Sequence, residues 1–370
     1  MRDISIHCAM LLLVWLGCVT LFSGCRDNSS VSIESPAQKR LEFSVIKQLP
    51  LKLDTSLPIA VVGGFIVADE VGNVRHFNHS YKPQWSVTHA GMDFTGGGTV
   101  ENGCLFLGST DGSVLCMDVD DGSTLWTNAL EASFSYPPLY GGIDDKNALW
   151  LLSSDDGIIF CLNADNGKVL WKSEETNRSD GGMVLWNQRL VYGNCDGAAY
   201  IFNASNGSRI ASIPVGESDQ MAGTPVVNDE GMLYIGTRQG NLAVVDIDQA
   251  ILCSTLKISE QEAFAVPVLC GEGTVAFGVQ EGDLLLLGSR EGALFVERKY
   301  ALGSEIKYLL YDEEMLYVLA NGALMAFDKN LKLASSLNVG DSFSGLGIVG
   351  SGFFAVKADN SLLFVKGEWK

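Results

Sequence analysis

Seven glycines and one asparagine recur along the chain at a near-constant interval: Gly72, Gly112, Gly157, Gly197, Gly240, Gly282, Gly322 and Asn360. Their separations are 40, 45, 40, 43, 42, 40 and 38 residues. A period of this length restricts the fold to stacked helical repeats or to four-stranded propeller blades. The residues just before each marker decide between the two. They read F-I-V-A (65–68), C-L-F-L-G (104–108), L-W-L-L-S (149–153), L-V-Y-G (190–193), L-Y-I-G (233–236), V-A-F-G (275–278), L-Y-V-L (316–319) and F-F-A-V (353–356). Each run is short, apolar and bounded by Gly, Asp or Asn, without the i, i+3, i+4 stripe of a helix. The expectation is an all-β chain forming an eight-bladed β-propeller of four-stranded antiparallel blades.

The best-preserved unit is Gly108–Trp126, G-S-T-D-G-S-V-L-C-M-D-V-D-D-G-S-T-L-W. It lies over Ser153–Trp171, S-S-D-D-G-I-I-F-C-L-N-A-D-N-G-K-V-L-W, with almost no adjustment. Gly112 and Gly157 mark a first turn, Gly122 and Gly167 a second. Gly207 and Gly292 repeat the second turn elsewhere, while Ala250 stands at that place in the fifth unit. Asp118 and Asn163 precede the second turn, where a short acceptor side chain can bond backbone N–H groups two residues on. Asn78, Asn203, Asp246 and Asp328 hold the same place in other units. Trp85, Trp126 and Trp171 close three units, and an indole there is expected to wedge between adjacent blades. Ala211, Ser254 and Val296 replace it later.

The eighth unit is short of one strand, because the chain ends at Lys370 soon after its third strand, Leu362–Val365. Leu41–Leu53 is strand-like and has no partner beside it in sequence. An N-terminal strand completing the last blade would remove an exposed edge and tie the first blade to the last. The propeller is therefore expected to span residues 41–370.

Residues 1–24 read differently. Arg2 precedes an apolar run, Cys8–Phe22, too short to span a bilayer, and L-F-S-G-C ends at Cys25. Small residues before a cysteine resemble a bacterial lipoprotein box, which makes 1–24 a lipoprotein-type signal peptide and Cys25 the lipidated residue. Residues 25–40, polar and Ser-rich, then form a tether.

A formal charge of −19 without any basic run disfavours nucleic acid as a partner. The cysteines of the propeller, Cys104, Cys116, Cys161, Cys195, Cys253 and Cys270, show no C-x-x-C spacing and read as free thiols acting as small hydrophobes. No nucleophile elbow or phosphate loop occurs. Asp118-Val-Asp120-Asp121-Gly122 lacks the spacing and closing Glu of a calcium loop and reads as a turn. His76 and His79 read as solvated turn histidines rather than a metal pair. Gly96-Gly97-Gly98 reads as a tight approach at the start of an inner strand, and Pro137-Pro138, Pro225 and Pro267 as entries to inner strands. Catalytic, cofactor-binding and metal sites are therefore expected to be absent.

The pattern small-x-Asp/Asn-x-x-x-Gly-x-x-x-Trp, present as C-M-D-V-D-D-G-S-T-L-W and C-L-N-A-D-N-G-K-V-L-W, resembles the repeat of pyrroloquinoline-quinone-type (PQQ-like) propellers. With the lipoprotein box and eight units, the chain is similar to the BamB family of outer-membrane assembly lipoproteins. That resemblance implies a non-catalytic scaffold without cofactor, docked on the periplasmic part of the barrel-inserting subunit and lipid-anchored to the outer membrane. Arg26 after Cys25 resembles the sorting pattern for that membrane. Two alternatives share the repeat. One is a propeller binding another periplasmic partner or ligand. The other is a quinoprotein dehydrogenase, a class whose members resemble one another in an adjacent cysteine pair that this sequence lacks.

Overall fold

The computed structural model describes residues 40–370 except 217, 218, 263–265, 272, 291, 292, 307, 341, 351, 359 and 360. Cys25, the signal peptide, tether residues 25–39, Gly292 and Asn360 lie outside the described residues. Eight antiparallel sheets of four strands form a ring, and no helix occurs among the described residues. Blades 1 to 7 occupy residues 59–88, 98–129, 139–172, 184–214, 221–257, 268–301 and 308–338. Blade 8 combines 343–369 with the N-terminal strand Leu41–Pro50.

Burial follows the place of each strand in its blade. In blade 2 the second and third strands, Cys104–Gly108 and Ser113–Asp118, are almost wholly buried. Both of their faces are covered by neighbouring blades, so their sequences run continuously apolar. The outermost strand, Thr124–Ala129, alternates instead, with Trp126 turned inward and Leu125 exposed. The apolar runs noted before each marker are the second strands of their blades.

A meander of four strands sends its turns to two faces. The turns between second and third strands share one face with the crossovers that lead to the next blade; we call it the crossover face. The first-to-second and third-to-fourth turns lie on the other, the hairpin face. At the crossover face the carbonyl of Gly112 accepts the amide of Leu130 at 2.9 Å, and a Cβ on that glycine would meet the Leu130 oxygen at 2.0 Å. The same bond recurs from His89 to Gly72, Val215 to Gly197, Leu302 to Gly282 and Val339 to Gly322. The periodic glycine fastens the outermost strand and sends the chain inward.

The ring closes as expected, by pairing of Leu41–Pro50 with Ser361–Trp369 as the outermost strand of blade 8. Leu41 faces Trp369 and Pro50 faces Ser361, with a bulge between Val45 and Lys47. Arg40 and Lys370 exchange two backbone hydrogen bonds of 2.9 and 2.8 Å. The strand stops at Pro50 rather than Leu53, since proline has no amide to continue the ladder. Gly98 begins the inner strand of blade 2, and a Cβ on Gly96 would lie 2.7 Å from the Ser135 backbone. Pro138 and Pro267 immediately precede inner strands. Pro225, by contrast, lies inside Met221–Val227, at the irregularity between Ala222 and Val226.

Candidate interaction face

The motif residues build the seams between blades. A Cβ on Gly122 would lie 2.6 Å from the Trp85 ring of the preceding blade; for Gly167 and Trp126, and for Gly207 and Trp171, the distance is 2.4 Å. Each indole thus rests on the bare backbone of a turn one blade ahead. Trp85 Nε1 donates to Val119 O at 2.9 Å, and Trp126 Nε1 to Ala164 O at 2.8 Å. At the third seam the equivalent acceptor, Ala204 O, is taken by the wholly buried Trp150 at 3.1 Å, and Trp171 Nε1 is buried without an acceptor. At two seams without an indole the turn carries a side chain instead. Leu331, at φ +55°, is buried in one cluster with Leu286 and Leu287 of the preceding blade, and Ala250, also at φ +55°, packs in one cluster with Ala211.

Asp118 Oδ1 accepts the amide of Asp120 at 2.8 Å, and Asn163 Oδ1 those of Asp165 and Asn166 at 3.0 and 3.1 Å. Asp121 Oδ1 takes the amide of Ser123 at 2.7 Å, so two of this turn's three carboxylates bond its own backbone. Gly157 O accepts a hydrogen bond from the Tyr192 hydroxyl of blade 4 at 2.7 Å. Among the described residues no group of three or more His, Cys, Asp or Glu is placed to hold a metal ion. The six described cysteines are free. Burial drives the Cys116 thiol far above its ordinary pKa and pushes Cys161 up to about 12, so neither is a thiolate at neutral pH. His76 departs from its expected solvated position. It is 8% exposed, its ring stands edge-on to Trp85, and neither nitrogen has a partner.

The crossover face holds two features that short-range sequence patterns do not announce. At the inner end of four crossovers a buried apolar side chain plugs the seam: Phe94, Phe134, Met221 and Ile306. Their amides bond to Asp69 O, Ser109 O, Asn194 O and Val279 O at 3.1 to 3.3 Å. Gly108, Gly193 and Gly278 leave room for the last three; a Cβ on Gly278 would sit 2.3 Å from Ile306. A glycine ending an apolar run was the available signal.

The second feature is a charged network across blades 3 to 6. Asp180, on the crossover into blade 4, receives Arg178 Nε at 2.6 Å, Arg238 Nη2 at 3.0 Å and the Cys195 thiol at 3.5 Å. Arg238 also reaches Glu262 through Nη1 at 3.2 Å, and the Tyr136 hydroxyl donates to Asp180 O at 2.8 Å. Burial works to raise the Asp180 carboxyl, but the hydrogen bonds from Arg178 and Arg238 outweigh it and hold it below the usual carboxylate range. Asp180 is mostly covered, whereas Arg178 and Arg238 keep 66% and 38% of their side-chain surface exposed. Backbone packing beneath is tight, since a Cβ on Gly181 would meet Gly223 O at 2.0 Å. Beside the network Glu281 accepts Ser259 Oγ and the amides of Glu260 and Gln261. On the other side of the ring the same face opens into a cavity of about 370 Å³, lined by Thr55, Leu57, Gly97, Pro137 and Lys357 among others. The face is therefore rigid, polar and concave in part, with two arginines presented outward.

The fold and these seams define an eight-bladed propeller with PQQ-like blades. A family model described as "Outer membrane protein assembly factor BamB" matches residues 70–330, more than two thirds of the chain, and the protein belongs to that family. Its fold is similar to the crystal structure of BamB from Moraxella catarrhalis, with a TM-score of 0.72 at 18% identity, over 88% of this chain and 99% of that one. It is also similar to the C-terminal WD40 domain of Sif2, with a TM-score of 0.70 at 13% identity over 88% and 98% of the two chains. The computationally designed Ika8 protein follows at 0.68 and 13%, over 89% and 99%. At these identities the likeness is one of fold. No curated protein matches the chain in sequence.

Proposed function

We propose that the protein is a non-catalytic scaffold of outer-membrane β-barrel assembly. In this reading it is held at the periplasmic face of the outer membrane through lipid on Cys25 and docks a protein partner on its crossover face. The observation that carries the reading is the family match over residues 70–330, a stretch that contains the whole Asp180–Arg238–Glu262 network. Fixed charges held by buried backbone suit orientation of a partner, because their geometry is set before docking. The partner in this reading is the periplasmic part of the barrel-inserting subunit.

Affinity capture from native membranes tests the role. The barrel-inserting subunit should be recovered with the unsubstituted protein and lost with Arg238→Glu. Recovery of other envelope proteins without that subunit would reassign the propeller to a different partner. Lipidation is read separately: Cys25→Ala should lower the mass by more than the side-chain change and release the protein from membranes. Unchanged membrane attachment would remove the anchor from the reading.

A further inference from the structure

We propose that the seam between blades 8 and 1, on the hairpin face, is a membrane-contact surface that takes an anionic phospholipid of the bilayer leaflet. This goes beyond the anchor reading, because it assigns lipid contact to the folded propeller rather than to residue 25.

The seam holds an apolar groove of about 470 Å³, lined chiefly by Ile46, Phe65, Tyr81, Val349, Phe353 and Phe364. Its origin is local. The closing strand brings no tryptophan to this seam, and the bulge between Val45 and Lys47 leaves Val45 and Ile46 at 46% and 42% exposure. Tyr81, at φ +60°, leans across with its ring 4.9 Å from that of Phe364. Phe353 remains 38% exposed and Trp369, at the end of the neighbouring strand, 47%. Ile46 and Phe353 are exposed at the groove itself. Trp369 is exposed at the hairpin end of the same sheet, on the face that carries Leu41 and Val365. Apolar side chains so exposed mark a surface that meets something apolar.

Charge selects the occupant. In a chain of formal charge −19, the closing pair of strands carries Arg40, Lys47, Lys366 and Lys370 against only Glu42 and Glu368. The ammonium of Lys47 stands 5.9 Å from the centre of the Tyr81 ring, and that of Lys366 stands 5.5 Å from the centre of the Phe353 ring. Lys366 also pairs with Glu368, and Lys370 with Glu42, at the rim. Aromatic floor, aliphatic lysine stems and ammonium rim are the arrangement that an acyl chain with an anionic head fits. Position agrees with chemistry. Residues 1–39, which include the apolar run Cys8–Phe22 and Cys25, join the propeller at Arg40, bonded to Lys370 beside Trp369.

The test uses the purified full chain with Cys25→Ser, mixed with vesicles of phosphatidylcholine alone or with phosphatidylglycerol. Sedimentation should require phosphatidylglycerol, weaken with added salt, and fall about tenfold in Lys47→Glu/Lys366→Glu. In the protein with an intact seam, lipids brominated on their acyl chains should quench tryptophan fluorescence, and Trp369→Phe should remove most of that quenching. Equal sedimentation of the charge-reversed protein at an unchanged melting temperature would overturn the proposal. So would quenching indifferent to Trp369→Phe, which needs no change inside the groove. Sedimentation with neither vesicle would also overturn it and leave the groove to a protein segment. The mass of the unsubstituted protein reports lipid on Cys25 independently, so the anchor reading can fail while this one stands.

Discussion

At the scale of single residues, the seams convert small sequence differences into sharp energetic ones. Gly167 combines a φ of +69° with a Trp126 ring 2.4 Å from where its Cβ would go. Gly167→Ala should therefore cost about 2–4 kcal/mol, from left-handed strain together with overpacking. Gly142→Ala, with only Lys146 O as near as 3.9 Å, should be close to neutral. Urea denaturation of the two variants makes the comparison. The tryptophans offer a second one. Trp126→Phe breaks the bond to Ala164 O, whereas Trp171→Phe breaks none, because Trp150 occupies that acceptor. The first substitution should cost about 1 kcal/mol more than the second in the same measurement. Turn residues such as Gly122 and Asn163 were legible in sequence because their work is local. The theft of Ala204 O by Trp150 spans 54 residues and leaves no trace in the spacing. His76 read as a turn residue, but it lies within the strand Asn73–Asn78 and beneath Trp85 of the adjacent strand, not in the turn that follows.

At the scale of elements, the period of the turns disclosed both the number of blades and the missing strand. What it did not disclose is which face gathers charge, because Arg238 and Asp180 meet across 58 residues of chain. The closing strand is the element most exposed to disruption. Leu41 is 5% exposed and packs in a cluster with Tyr317, Leu346 and Phe354. Leu41→Asp should destabilise the protein by about 3 kcal/mol or more, through lost burial and an unpaired buried charge. It should also free the edge of Ser361–Trp369, so that size-exclusion chromatography shows dimers and larger species. A monomer with an unchanged melting temperature would mean that the closing strand contributes little.

At the scale of the whole molecule, acid should loosen the ring before it reaches the carboxylates. Burial lowers the pKa of His76, against a smaller opposing pull from Asp120, and burial also lowers that of His89. Both histidines stay neutral when folded and take up protons more readily when unfolded. Their contribution to stability is complete above the unfolded pKa and is lost as pH falls through about 6.5 and below. Asp69 and Asp180, held low by their hydrogen bonds despite burial, lose theirs only below about pH 4. His76→Leu should therefore show a smaller fall in melting temperature between about pH 7 and pH 5 than the unsubstituted protein. The comparison cancels the easing of self-repulsion as the net charge of −19 is titrated.

The closure has a mechanical side. A pull on Arg40 directed along the strand Leu41–Pro50 draws it past a neighbour that runs the opposite way. Hydrogen bonds between antiparallel strands lie across that direction, so the load is shared along the whole ladder rather than opening it rung by rung. Tension at the N-terminus is thereby resisted by the last blade and the first together. A ring tied in this way can bear a sustained pull on one end without surrendering its blades in sequence.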